Sequence, residues 1–276
     1  MSTEQLVVAA IQMSSTADIK HNLTRADGLI DQAVNNGAQL VLLPENFAHM
    51  PNTNIERLQA CEVIGTGPIQ KFLSNKSEQH GIYLVAGSVP VASTNPDKVF
   101  AASLCFGPTG SLLARYDKVH LFDVRLPDGK RHAESDNFEY GGLIENDGLL
   151  ETPWGTFCMT ICYDLRFPEL FRKASSRGVV GFLVPAAFTY DTGEAHWEVL
   201  LRARAIENMA YVLARAQHGI HANGRRTWGH SMVLDPWGKL LACQASGDGV
   251  VLATLDLVRQ KTLRRNFPCL EQRRVD

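Results

Sequence analysis

The chain has 276 residues, 45% of them hydrophobic and 20% charged. That is the balance of an ordinary folded soluble domain, and it excludes a disordered polar chain with too few apolar residues to build a core. Lys+Arg number 27 against 29 Asp+Glu, a formal net charge of −2, so no overall basic field draws the protein to nucleic acid or to an anionic membrane. The late arginines Arg264, Arg265, Arg273 and Arg274 read as a solvated or salt-bridged helix end. Six cysteines are present, several of them inside apolar runs, where a thiol behaves as a small hydrophobe. The N-terminal residues carry no basic region ahead of an apolar stretch, and no apolar run approaches the ~20 residues of a membrane span. The expectation is a cytoplasmic protein with reduced thiols.

In chain order, residues 6–13 form a continuous apolar run, as in a strand buried on both faces. Ile19, Leu23, Ala26, Ile30 and Ala33 recur at helical spacing, and Gly37 stands at the C-terminal cap position. The run 39–43 is a short strand ending at Pro44-Glu45. These three elements predict a parallel strand–helix–strand crossover. Pro68 opens a helix through Ile69, Phe72 and Leu73 to near Gly81, and 82–89 is a strand. Strands 99–106 and 112–116 form a hairpin through Gly107-Pro108-Thr109-Gly110. The polar, Gly-rich stretch 120–148 is too long for an idle connection and reads as a functional loop. Strand 157–161, helix 168–176, strand 179–184 and helix 194–208 follow. Strands 211–216, 230–234, 239–243 and 250–256 complete the chain, with a turn at Asp235-Pro236-Trp237-Gly238. No linker divides the sequence, so residues 1–276 form one α/β domain. Twelve or so strands are too many for one open sheet, which favours two packed sheets.

Residues with chemistry lie at strand ends, where open α/β sheets place ligands. Cys162 follows strand 157–161 and precedes a helix, so backbone N–H groups there can face an oxyanion. Cys158, inside the strand, reads as core. Glu45 ends the strand 39–43 and can act as a general base. Lys118 follows the strand 112–116 and can stabilise an oxyanion or a thiolate. Glu134 lies in the polar loop. Taken singly, each of these residues is as readily an inert thiol, a capping carboxylate, a solvated lysine or a loop acid. His196, His218, His221 and His230 lack zinc-ligand spacing. Gly65, Gly67 and Gly141 form no phosphate loop. Trp197 and Trp237 read as core or interface. For Arg166, an internal carboxylate such as Asp164 or Glu169 is as good a partner as an acidic substrate.

The ordered strings LLPEN, YDKVHLF and CYDLRFPEL resemble the Glu, Lys and Cys signatures of the nitrilase superfamily of carbon–nitrogen hydrolases. HAESDNF around Glu134, TGEAHWEVLLRARAIEN at 192–208 and GHSMVLDPWGK at 229–239 extend the resemblance over nearly the whole chain. It implies a nitrilase-like α-β-β-α four-layer sandwich and a Glu45–Lys118–Cys162 triad, with Glu134 as an additional active-site carboxylate. It also implies a homodimer or larger homo-oligomer and a small-molecule amide substrate, with no cofactor; the histidine spacing, the near-neutral charge and the short apolar runs point to no metal, no nucleic acid and no membrane. In the implied reaction Lys118 and the backbone N–H of Tyr163 meet the oxyanion. RARAIEN, HSMVLDPWG and LRRNFPCL are most similar to the branch of amidases acting on deaminated glutathione. That branch cleaves an internal amide to 2-oxoglutarate and cysteinylglycine through a cysteine thioester. The omega-amidases, which act on 2-oxoglutaramate, share TGEAHWE-like and DPWG-like segments. An acyltransferase and a non-catalytic binding member of the fold are the remaining readings.

Overall fold

A computed structural model of the chain describes residues 4–125, 129, 131–142 and 148–275. Part of the expected loop 120–148 therefore lies outside the described residues.

Strand β1 (Gln5–Gln12) leads through α1 (Ile19–Asn35) to β2 (Leu40–Leu42), which runs parallel to β1 with Val8 opposite Leu40. Asp18 caps α1 by accepting from the His21 N–H at 3.0 Å. The short helix α2 (Asn54–Gln59) precedes α3 (Pro68–His80), which Pro68 opens and a left-handed Gly81 closes. Then come β3 (Tyr83–Ala92), β4 (Val99–Phe106) and β5 (Leu112–Asp117), followed by the small hairpin β6 (Asp123–Arg125) and β7 (Arg131–Ala133). Strands β8 (Leu149–Thr152) and β9 (Gly155–Met159) lead through a 3-10 turn, Cys162–Arg166, into α4 (Pro168–Ser175). The rest is β10 (Gly181–Ala186), α5 (Tyr190–Asn208), β11 (Tyr211–Ala216), β12 (His218–Ile220), β13 (Arg226–Trp228), β14 (Ser231–Leu234), β15 (Leu240–Gln244), β16 (Gly249–Asp256) and α6 (Leu257–Asn266).

Two six-stranded sheets result, ordered β16-β1-β2-β3-β4-β5 and β15-β14-β11-β10-β9-β8. Each has three parallel strands at its centre and antiparallel strands outside them. The period-2 alternation of β1 explains the stacking. Leu6, Val8 and Ala10 face the core shared with the second sheet, while Ala9, Ile11 and Met13 face Ala26, Ile30, Ile69 and Leu73 of α1 and α3. Trp197, Leu201 and Ala205 of α5, with Phe171 of α4, cover the far side of the second sheet. The layers are helices, sheet, sheet, helices: an α-β-β-α sandwich. Central strands with a core on both sides must be apolar at successive positions, which is why they appear in the sequence as unbroken runs.

Several elements differ from the expectation. The α5 helix starts at Tyr190 rather than at 194. The α2 helix buries none of its residues, so no apolar stripe announces it, and its start rests on Thr53 accepting from the Glu56 N–H at 3.2 Å. Hairpins β6–β7 and β12–β13 are three-residue polar strands. Arg264 is half-buried, and among the described residues its guanidinium donates to the carbonyls of Met209 and Val179, at 2.9 and 2.7 Å, rather than to a carboxylate. The six cysteines, by contrast, are all free thiols, as expected.

Candidate active site

Glu45 sits just past β2 in a loop fixed from several sides. Gly87 of β3 lies so close that a Cβ there would stand 2.1 Å from the carbonyl of Pro44, so only glycine fits. Asn46 takes a left-handed φ of 57°, and its N–H donates to Ser88 Oγ at 2.9 Å. From the second sheet, Arg215 Nε donates to the Leu43 carbonyl and Gln217 Nε2 to the Glu45 carbonyl, each at 3.0 Å. The Glu45 carboxylate is buried. Its Oε1 accepts from Lys118 Nζ at 3.0 Å and its Oε2 from the Ala187 N–H, past the end of β10, at 2.7 Å.

Lys118 follows β5 and is 1% exposed. Its ammonium also donates to Glu134 Oε2 at 2.8 Å, and that oxygen accepts from the Phe122 N–H at 2.8 Å. The lysine therefore bridges two carboxylates. Burial alone would lower its pKa, but Glu134 and Glu45 more than reverse that, and the ammonium is held above its ordinary value. Burial likewise acts to raise the Glu134 pKa, and Lys118 outweighs it, so Glu134 stays ionised below the usual range.

Cys162 opens the 3-10 turn with a left-handed φ of 48° and is almost wholly buried. This placement at the end of a buried strand points the thiol into a narrow cleft shared with Glu134, Tyr163, Phe188, Thr192 and Arg225. Burial and the nearby Glu45 push its pKa well up, while Lys118 pulls the other way. The thiol is protonated at neutral pH and needs a base to react.

The turn is held by Asp164, which is fully buried. Its Oδ2 accepts from the Ile161 N–H and the Tyr116 hydroxyl, both at 2.8 Å. Its Oδ1 accepts from the His120 N–H at 3.1 Å and contacts His120 Nδ1 at 2.7 Å. The carboxylate thus joins the YDKVHLF segment to the CYDLRF segment. Arg204, from RARAIEN, donates twice to the Leu165 carbonyl, at 3.1 and 2.8 Å. Sequence reasoning left Asp164 as a partner for Arg166. Instead Arg166 faces His196 Nδ1 at 3.4 Å and lies over the rings of Tyr163 and Phe188.

The structure thus brings Glu45, Lys118, Glu134, Cys162 and Tyr163 together. Cys158 is core, as expected. The histidines hold structure: His218 meets Asp248 at 2.7 Å, and His221 lies between the Ser15 carbonyl and Thr227 Oγ1. Trp197 is core, and Trp237 is exposed against Phe267. Two residues absent from the expected site are Arg57 and Arg225. They line a second cavity, of about 230 Å³, together with Glu45, Glu134, Phe138 and Arg131. Arg57 lies 11 residues past LLPEN and Arg225 four residues before GHSMVLDPWGK, and neither stands inside a motif that marks it.

Residues 7–265 match the family model for carbon-nitrogen hydrolase. The chain is similar to the deaminated glutathione amidase of a Synechocystis strain, at 42% identity over 97% of both chains. It is also similar to the omega-amidase NIT2 of Mus musculus, at 36% identity over 100% of this chain and 97% of that one. Among solved structures it superposes on Saccharomyces cerevisiae Nit3, a member of branch 10 of the nitrilase superfamily. The TM-score there is 0.87 with 31% identity, covering 100% of this chain and 99% of that one. The chain belongs to the carbon-nitrogen hydrolase family. It is an enzyme that hydrolyses amides, on a fold whose members use a cysteine nucleophile.

Proposed function

We propose that this enzyme hydrolyses deaminated glutathione to 2-oxoglutarate and cysteinylglycine, with Cys162 as nucleophile. The observation that carries the chemistry is the buried Glu45–Lys118–Glu134 chain of contacts, at 3.0 and 2.8 Å, beside the Cys162 thiol. Glu45 takes the Sγ proton as sulfur attacks the amide carbon, and the C=O pair moves onto oxygen. Lys118 and the Tyr163 N–H receive that oxyanion. As the carbon–nitrogen bond breaks, Glu45 returns the proton to the leaving amine and a thioester remains. Water then attacks the thioester with Glu45 again as base, and sulfur leaves as a thiol. Glu134 holds the Lys118 ammonium in place and keeps it charged.

The substrate rests on similarity to enzymes of that name at up to 42% identity over nearly the full length, against 36% for the omega-amidase. Purified protein is assayed with deaminated glutathione and with 2-oxoglutaramate. Faster release of cysteinylglycine than of ammonia, by kcat/KM, is expected, and the reverse order would make it an omega-amidase. The reading extends to a cytoplasmic homo-oligomer. Val199 and Ile206 share one face of α5 and are 69% and 51% exposed, beside Trp237 at 54%. Apolar surface of that kind suits a subunit contact, and Val199→Asp is expected to slow-sedimenting monomer in analytical ultracentrifugation.

A further inference from the structure

The larger of the two cavities at the site lies on the Glu45 side of the nucleophile, between α2, the β6–β7 hairpin and the loop before β13. In the reaction proposed above, Glu45 hands its proton to the leaving nitrogen. Whatever is attached to that nitrogen must then extend into the space that Glu45 lines. The cavity holds about 230 Å³, against the roughly 10–15 Å³ that one water needs. Ammonia as leaving group needs no such room, whereas a dipeptide extends about 7 Å at ~3.4 Å per residue.

Its walls carry an unusual charge arrangement. Lys118 pairs with both Glu45 and Glu134, which leaves one net negative charge on the three groups, and Glu134 attracts Arg57 and Arg225 at longer range. Beyond them stand Arg57 and Arg225, and among the described residues neither has a carboxylate within ion-pair distance. Arg57 lies over the Phe138 ring, 4.7 Å from its centroid, and donates from Nη1 to Asn54 Oδ1 at 2.9 Å. Arg225 donates from Nη2 to the Ala187 carbonyl at 2.5 Å, while its buried Nε has no hydrogen-bond partner among the described residues. The same Ala187 donates its N–H to Glu45, so Arg225 is built into the catalytic framework. Two half-buried guanidinium groups facing one space repel each other, and each opposes the other's burial. Planar guanidinium donors match a carboxylate, and one held between them relieves both costs.

We propose that Arg57 and Arg225 form a carboxylate subsite for the leaving group, binding the C-terminal carboxylate of the departing dipeptide, with Arg57 as the specificity-determining residue. This deepens the proposed function and rests on it. An ammonia-releasing substrate has nothing to place in this subsite, so the pair favours peptidyl amides.

The test compares 2-oxoglutaryl-Cys-Gly with its C-terminal carboxamide on wild type, Arg57→Met and Arg57→Lys. Wild type is expected to prefer the acid by ~10-fold or more in kcat/KM, the scale of one charge-assisted hydrogen bond. In Arg57→Met the preference should collapse to within about twofold, chiefly through KM, and Arg57→Lys should restore part of it. The acid-to-carboxamide ratio is taken within one preparation, so an inactive fraction cancels. Equal losses on both compounds in Arg57→Met, or no preference in wild type, would overturn the subsite. A wild type that releases ammonia from 2-oxoglutaramate but cleaves neither peptidyl compound would also overturn it. A wild type inert toward all three would sink the proposed function and the subsite together.

Discussion

The Tyr116 hydroxyl donates to Asp164 Oδ2 at 2.8 Å, with both side chains buried. Lys118 is two residues beyond the tyrosine, and Cys162 is two residues before the aspartate. One carboxylate therefore sets the register of cation and nucleophile. Asp164 accepts from four donors, and an asparagine oxygen cannot serve all of them. Each buried donor left unsatisfied costs about 1–3 kcal/mol. Asp164→Asn is expected to lower the melting temperature and to reduce kcat by ~10-fold or more, while Tyr116→Phe should lower stability by ~1 kcal/mol. An unaltered melt and rate for Asp164→Asn would remove its positioning role.

Cys162→Ala should abolish turnover, and Cys158→Ala should leave it active with a small loss of stability, since Cys158 is core. Glu45→Gln should cost ~10²-fold or more in kcat as the base is lost. The same substitution removes a negative charge that raises the Cys162 pKa. The pH midpoint for alkylation of Cys162, followed by mass spectrometry, should therefore move down while turnover falls. A midpoint that moves up would contradict the electrostatic role of Glu45.

Glu134 has a lowered pKa in the folded protein because of Lys118, against the opposing effect of burial. A depressed carboxylate contributes stability above its unfolded pKa, about 4.3, and that contribution is lost as pH falls through the folded value. Glu134→Gln should thus be less stable than wild type at pH 7, and the gap should close on acidification below about pH 4.3. Lys118, with a raised pKa, follows the opposite sign, and its contribution fades only above about pH 10.4. Denaturant melts across pH measure the gap, and a constant difference would refute the linkage.

Two glycines should respond with opposite signs. At Gly87 a Cβ would overlap the Pro44 carbonyl, whereas at Gly28, within α1, it would meet nothing within 4 Å. Gly87→Ala should displace the Glu45 loop, lowering both stability and kcat. Gly28→Ala should raise stability by about 0.5–1 kcal/mol through helix propensity alone. Calorimetry on both variants provides the check.

Much of this molecule is legible in its sequence because two stacked sheets demand unbroken apolar strands. The β1 run, the hairpin of β4 and β5, the Pro68 start of α3 and the turn at 235–238 all follow from local pattern and turn chemistry. The elements that escape detection carry no such pattern: α2 buries nothing, and β6, β7, β12 and β13 are three residues each. Within the site, Glu45, Lys118 and Cys162 are visible because each follows a strand inside one of three ordered motifs; strand-end position alone leaves each equally an inert group. Asp164 is not visible, because an acid in a turn has the same sequence signature whether solvated or buried against four donors. Arg57 and Arg225 meet across 168 residues of chain, a distance that no local spacing encodes.

One edge of the first sheet is closed by a strand far along the chain from its neighbour. Strand β16 pairs with β1 along its whole length, from Gln5 opposite Asp256 to Gln12 opposite Gly249. Glu45, Lys118, Glu134 and Cys162 all precede β16 in the chain, so a folding intermediate can hold all four while the edge of the sheet behind Glu45 is still open. Until β16 arrives, β1 exposes an open row of backbone donors and acceptors.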